Sequence, residues 1–292
     1  SFIDEVIAYR KGLLNFILLS FKLRRKRFDT ALIMHGNDPD ILPLAFFSGA
    51  AEVVGYRDST SMPFLLTNAL VLLPPDIHVV EKRLFIARAV GADTSSKGLI
   101  LTVLDEERER VWRFLSEKGI SEDDLIIGMH PGAARPYKCW PAERFAFLAK
   151  YLVSELGAKV VITGFGNEAS LARKIREEAG DGILIAAGVF GLKGLSALIE
   201  KMDVYVTNDT GPMHMAFAVG TATVALFCPS DPKTIGPYGY GDKHEVISRP
   251  VSCNPCVTKR CEDPFCMKAI TVEEVCEAVC RLVQRAKKVA SA

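Results

Sequence analysis

Between Leu125 and Phe227, short apolar runs of strand length alternate with stretches of helical periodicity, and this alternation constrains the fold more than any other feature of the chain. Leu125 to Met129 precedes Pro141 to Leu156, Lys159 to Thr163 precedes Glu168 to Ala179, and Gly182 to Ala186 precedes Leu195 to Lys201. A fourth run, Val204 to Asn208, leads to a helical start at Pro212, and a fifth spans Ala222 to Phe227. Repeated βαβ units imply an α/β fold with a parallel sheet covered by helices on both faces. Ligands of such sheets bind outside the carboxyl ends of the strands, so chemistry is to be sought in the loops that follow them.

The rest of the chain fits a second, smaller part. With 292 residues, the length suits about two domains of common size. A basic helix, Leu13 to Arg27, precedes a short buried strand, Phe28 to Met34; residues 39–102 mix apolar helical stretches (Leu42 to Ala51, His78 to Val90) with proline-bearing loops. Asp105 to Lys118 reads as a charged amphipathic helix closed by Gly119. We expect a division into residues 1–122 and 123–292. Glu5 to Tyr9 is strand-like from the outset and residue 1 is not Met, so the natural N-terminus is expected to lie upstream.

Composition excludes several classes. Hydrophobic residues at 49% and charged residues at 24% are incompatible with a disordered chain or a long coiled coil. A net charge of +1 gives no general electrostatic case for nucleic acid, so any anion must be bound locally. The apolar stretches at Ile41 to Val54 and Phe64 to Leu73 are interrupted by Pro43, Glu52 and Asn68 and are too short to span a bilayer. With no secretory leader in the chain, a cytoplasmic location is the expectation.

Three strand-end loops carry candidate chemistry. In the first, His130-Pro131-Gly132-Ala133-Ala134-Arg135-Pro136-Tyr137-Lys138-Cys139-Trp140-Pro141, small residues let backbone amides approach a ligand while Arg135 and Lys138 add positive charge, which suits a phosphate; a solvated surface turn would read the same way. The second, Gly164-Phe165-Gly166-Asn167-Glu168-Ala169, fits the G-x-G-x-x-A dinucleotide pattern. The next strand, however, ends Ile185-Ala186-Ala187-Gly188, without the acid that would hold an NAD ribose. Glu168 could accept bonds from ribose hydroxyls, or simply favour a helix start. The third, Thr207-Asn208-Asp209-Thr210-Gly211-Pro212-Met213-His214, offers hydroxyl, carboxylate and helix-start amides together, with Asp209 or Thr210 as a helix cap and His214 one turn in.

The Asn208-Asp209-Thr210-Gly211-Pro212-Met213-His214 loop, with Pro131-Gly132 and Lys138-Cys139-Trp140-Pro141 upstream and Gly236-Pro237-Tyr238-Gly239 downstream, resembles glycosyltransferase family 9, the ADP-heptose:lipopolysaccharide heptosyltransferases. The match runs in order from about Asp4 to the C-terminal helix. The resemblance implies a GT-B fold, two Rossmann-like domains with parallel sheets facing across a cleft, here with an incomplete N-terminal acceptor-side domain and a C-terminal donor domain. It further implies inverting, metal-independent transfer of heptose from an ADP-sugar to the lipopolysaccharide inner core, with no cofactor required. Asp209, Thr210, Gly211 and His214 would hold the donor diphosphate and sugar, Lys138 with His214 would neutralise the leaving ADP, and Glu168 would bind the adenosine ribose. Gly132, Ala133 and Ala134 would line the phosphates, the two alanines standing where relatives often carry hydroxyls. Phe190 and Leu192 would pack against adenine. The family's base, an Asp in a Gly-Asp loop after the first N-terminal strand, has no counterpart in this chain, so a donor-binding chain with poor turnover is expected. A catalytically silent nucleotide-sugar-binding protein and another GT-B enzyme such as a nucleotide-sugar 2-epimerase are the alternatives.

Two features stand outside this frame. Cys253, Cys256, Cys261 and Cys266 form C-x2-C-x4-C-x4-C, which could close a structural zinc site or staple a loop. Lys22, Arg24, Arg25, Lys26 and Arg27 could meet the inner face of the inner membrane or the phosphorylated acceptor, or be a solvated helix end.

Overall fold

In the computed structural model, which describes residues 3–35, 38–249, 261 and 264–290 (287–290 as backbone only), the chain forms two compact units, Ser1–Ser95 and Ser96–Ala292. The first opens with α1 (Leu13–Lys26), closed by Arg27 in the left-handed region at φ 54°. Three parallel strands follow, β1 (Thr30–Leu32), β2 (Glu52–Tyr56) and β3 (Asn68–Leu70), paired in that order. Helix α2 (Ile41–Phe47) lies between β1 and β2, and α3 (Val79–Arg88) follows β3. Alternate residues of β2 serve opposite faces, as the pleat requires. Val53 packs with Ile33 and Leu42, whereas Val54 and Tyr56 pack with Ile86 of α3. The strand-like run Glu5 to Tyr9 is not a strand. Val6 is 83% exposed; Glu5 and Tyr9 are tied through their side chains to Lys22, Lys26 and Asp40, but the segment pairs with no strand among the described residues, so no sheet ladder fixes it.

The second unit contains α4 (Asp105–Glu117), β4 (Ile126–His130), α5 (Ala142–Leu156), β5 (Lys159–Ile162), α6 (Ala169–Ala179), β6 (Ile183–Ile185), α7 (Leu192–Glu200), β7 (Val204–Asn208), α8 (Gly211–Val219), β8 (Ala222–Phe227), the short α9 (Pro232–Ile235), β9 (His244–Ser248), the short α10 (Phe265–Lys268) and α11 (Val272–Ala290). The boundary between units falls ahead of α4, earlier than the division after residue 122 expected from the sequence. Val111 and Leu115 of α4 are buried with Leu195 and Leu198 of α7 in one cluster, and Arg108 donates to both oxygens of Glu200 at 2.6 and 2.8 Å.

All six strands are parallel in the order β6-β5-β4-β7-β8-β9. Counted within the unit this is 3-2-1-4-5-6, the order of a dinucleotide-binding sheet, and its direction of winding reverses between β4 and β7. The α/β class with parallel sheets is the one expected. Helices α5, α6 and α11 cover one face through Phe145, Leu148, Ile175, Val275 and Val279, and α4, α7 and α8 cover the other. A Cβ on Gly128 would stand 2.0 Å from Met202 Sδ and 2.6 Å from the Tyr205 ring, so β4 admits these two large side chains only because that position is bare.

Candidate functional site

Reversal of winding leaves a crevice at the carboxyl ends of β4 and β7, because the loops leaving these strands diverge to opposite faces. The loop after β4 contains a single 3-10 turn, Pro136–Lys138, before Trp140 and α5. Trp140 is 1% exposed; its indole N–H donates to the Ile270 carbonyl at 2.9 Å and its ring meets Phe145 edge-on at 5.0 Å. Held by this anchor, Lys138 reaches across to the loop after β7, where its Nζ donates to Asp209 Oδ2 at 2.5 Å. The Asp209 side chain is 5% exposed and that of Lys138 23%. Two residues 71 positions apart thus meet at the switch point.

Neither Asp209 nor Thr210 caps α8 through its side chain. Thr210 occupies the N-cap position in extended conformation but makes no side-chain cap bond, and the Asp209 carboxylate is drawn to Lys138. The Thr210 hydroxyl lies 3.5 Å from that of Thr207. The amides of Gly211 and Met213 therefore have no side-chain cap, while Pro212 at the helix start has no N–H to satisfy. Orphan amides beside the lysine and the positive end of the helix dipole make this corner suited to an anion. His214, one turn in, lies 6.0 Å edge-on from Phe217.

Glu168 closes the loop after β5. Its Oε2 accepts from the Phe165 amide at 2.7 Å, which fixes the turn Gly166–Glu168 ahead of α6, and its side chain is 15% exposed. Gly132, from the loop after β4, lies directly beneath its carboxylate. Ala133 is half-buried and Ala134 exposed in the same loop. Phe190 turns toward α4, meeting Phe114 edge-on at 5.2 Å with the Arg110 guanidinium 5.4 Å from its ring centre. Leu192 is 62% exposed at the start of α7.

Behind the loops runs a buried polar chain that sequence reasoning missed. Tyr205, fully buried, lies 2.7 Å from Thr163 Oγ1, which lies 3.1 Å from His130 Nδ1; His130 Nε2 faces Glu168 Oε2 at 3.9 Å. Burial pushes the His130 imidazolium down to about 4, so the ring is neutral at pH 7, and raises the Tyr205 hydroxyl well above its usual range. A neutral ring with its proton on Nε2 presents N–H to the carboxylate and its bare nitrogen to Thr163, whereas the other tautomer would set a lone pair against Glu168. Polar residues within otherwise apolar runs, such as Thr163 and Tyr205, were the available signal.

Of the cysteine cluster, Cys253 and Cys256 lie outside the described residues; Cys261 is half-buried and Cys266 buried in the core. No group of three or more metal-ligating side chains occurs among the described residues. Cys276 is buried in α11, its thiol pushed up to about 11 chiefly by burial. Among the described residues no helix is long and apolar enough to cross a membrane.

Comparison with known proteins bears on this arrangement. The family model described as glycosyltransferase family 9 (heptosyltransferase) matches residues 18–265. The lipopolysaccharide heptosyltransferase 2 of Escherichia coli (strain K12) is 30% identical over 240 residues, covering 76% of this chain and 66% of that protein, so the chain spans just under two thirds of this relative's length. Among solved structures, a family 9 glycosyl transferase from Veillonella parvula superposes with a TM-score of 0.83 at 28% identity, covering 97% of this chain and 83% of that one. The E. coli ADP-heptose lps heptosyltransferase II superposes with a TM-score of 0.71 at 25% identity over 93% and 81% of the two chains.

Proposed function

The chain belongs to glycosyltransferase family 9, and from that membership we propose that its second unit binds the ADP moiety of an ADP-heptose donor for transfer of heptose to the lipopolysaccharide inner core. The observation that carries this reading is the Lys138–Asp209 contact at the switch point beside the uncapped start of α8. A diphosphate placed there would meet the Lys138 ammonium, the Gly211 and Met213 amides and the His214 ring. Glu168, an acceptor at the neighbouring strand end, would take the ribose hydroxyls, as the resemblance implies. Gly132, Ala133 and Ala134 would border the phosphates, and Phe190 with Leu192 the adenine. In this reading residues up to Ser95 are part of the acceptor-side domain.

Departure of ADP develops negative charge on the β-phosphate. Fixed cations and oriented amides stabilise such charge most when water is excluded and their orientation is already set. The Lys138 ammonium and the His214 ring N–H are the side-chain donors nearest the start of α8 in this reading. In direct displacement the acceptor hydroxyl oxygen bonds to the anomeric carbon as the bond to the ADP β-phosphate oxygen breaks, inverting that carbon. The hydroxyl proton passes to a carboxylate base, which the resemblance assigns to a Gly-Asp loop that has no counterpart in this chain, and the charge on the departing ADP is met without a metal by Lys138, His214 and the α8 amides.

Isothermal titration of the chain with ADP tests the assignment. ADP is expected to bind, and Asp209→Ala to bind it at least tenfold more weakly; equal affinities would remove the α8 corner as the diphosphate site.

A further inference from the structure

Asn208, the last residue of β7, is fully buried, and the three hydrogen bonds of its side chain among the described residues all go to one loop. Its Nδ2 donates to the Pro131 carbonyl at 2.8 Å and to the Gly132 carbonyl at 3.3 Å, while its Oδ1 accepts from the Trp140 amide at 3.0 Å. Pro131 and Gly132 open the loop after β4 and Trp140 closes it, so one planar amide pins both ends across the switch point. The orientation of the amide follows from its partners, since a flipped group would oppose carbonyl to carbonyl and N–H to N–H.

Between the pinned ends lies Lys138, and immediately after Asn208 comes Asp209, its partner. Gly132, one of the pinned carbonyls, is also the surface on which the Glu168 carboxylate lies. Only a side chain with two donors and one acceptor on a short stem satisfies this set: Asp lacks the donors, Ser and Thr have one, and Gln is longer by a methylene. From this juxtaposition we infer that Asn208 is a positioning residue, setting the loop 131–140 so that Lys138 and Glu168 stand ready for the diphosphate and ribose of the donor. The inference rests on the donor-site reading above.

Asn208→Asp separates the donor half of the amide from the acceptor half. The carboxylate still accepts from Trp140 but faces two carbonyl oxygens, and burial beside Asp209 raises its pKa. On protonation it regains one O–H donor. Lys138 and Asp209 face this position from the adjoining loops, Glu168 lies over Gly132, and His130 and His214 stand on β4 and α8, so the variant is compared with wild type at each pH.

The experiment measures ADP affinity of both proteins by titration calorimetry between pH 5.5 and 8, with hydrogen–deuterium exchange of the unliganded chains. At pH 7.5 we expect N208D to bind ADP about tenfold more weakly and to exchange faster in residues 131–140 than elsewhere in the sheet. The affinity gap should narrow at pH 5.5, which a merely destabilised fold would not do. Should N208D be unfolded at pH 7.5, Asn208→Ser replaces it, with the same loss of affinity and local exchange expected but no recovery at low pH. Wild-type affinity and exchange in the folded variant, alongside lost binding in Asp209→Ala, would overturn the role of Asn208 and leave the donor site standing. Failure of the wild-type chain to bind ADP would overturn the donor-site reading and this role with it.

Discussion

The Glu168 carboxylate lies over Gly132 so closely that a Cβ on the glycine would stand 1.8 Å from Glu168 Oε1. The obstructing atoms are the far end of a flexible side chain, so Gly132→Ala can be accommodated by swinging Glu168 away, at the cost of its bond to the Phe165 amide.

This variant should therefore fold, with a stability loss of about 1 kcal/mol for the hydrogen bond, yet bind ADP about tenfold more weakly because the carboxylate proposed to take the ribose hydroxyls is displaced. A double-mutant cycle checks the route. In a Glu168→Ala background, Gly132→Ala should have little further effect on affinity, since contacting residues are strongly non-additive.

Lys138→Ala tests the proposed leaving-group role, read as heptosyl transfer from an ADP-heptose donor. A cation that acts mainly in the transition state should lower kcat and kcat/KM together, by about 10²-fold to 10³-fold if it resembles loss of one oxyanion donor. An unchanged kcat with a raised KM would make Lys138 a ground-state anchor.

Acid should destabilise the second unit through two buried histidines. Burial pushes both His130 and His244 down to about 4, against about 6.5 in the unfolded chain. Above pH 6.5 neither state binds these protons. Between 6.5 and 4 the unfolded chain takes them up and the native chain does not, so stability falls with decreasing pH, approaching about 1.4 kcal/mol per pH unit for each histidine. Neither ring nitrogen of His244 has a hydrogen-bond partner among the described residues, and the ring packs between Phe217 and Tyr240 at 4.6 and 5.0 Å. His244→Phe should thus flatten the decline, read as a smaller drop in urea midpoint between pH 7 and pH 5.

Helix α1 has no buried residue. Leu14, Leu18 and Phe21 are 69%, 59% and 63% exposed, and its last turn carries Arg24, Arg25 and Lys26. We propose contact with an anionic membrane surface, where each basic residue contributes about 1 kcal/mol. Cosedimentation with anionic vesicles should weaken about fivefold for each of Arg24→Gln and Arg25→Gln, and fade with salt. Equal retention on neutral vesicles would exclude the electrostatic component.

Much of this was legible locally. The apolar runs marked five of the six strands of the larger sheet, two of them to the residue, because burial on both faces leaves a mostly apolar signature: Val204–Asn208 and Ala222–Phe227 are strands as read. The motif loops were also visible, since small residues, a lysine and a helix start are properties of neighbouring positions. Strand order was not, because one parallel strand resembles another in composition and only packing of the connecting helices decides which becomes its neighbour. That choice placed β4 beside β7 and so brought Lys138 to Asp209, drawing away a carboxylate that looked like a helix cap. Asn208, Thr163 and Tyr205 acquire their roles only through partners 68, 33 and 42 positions away. The sequence by itself determined which segments could become buried strands and where anion-binding chemistry could be hosted. The tertiary structure decided which of those groups meet, because hydrogen bonds and ion pairs depend on separations of a few ångströms that chain distance does not encode.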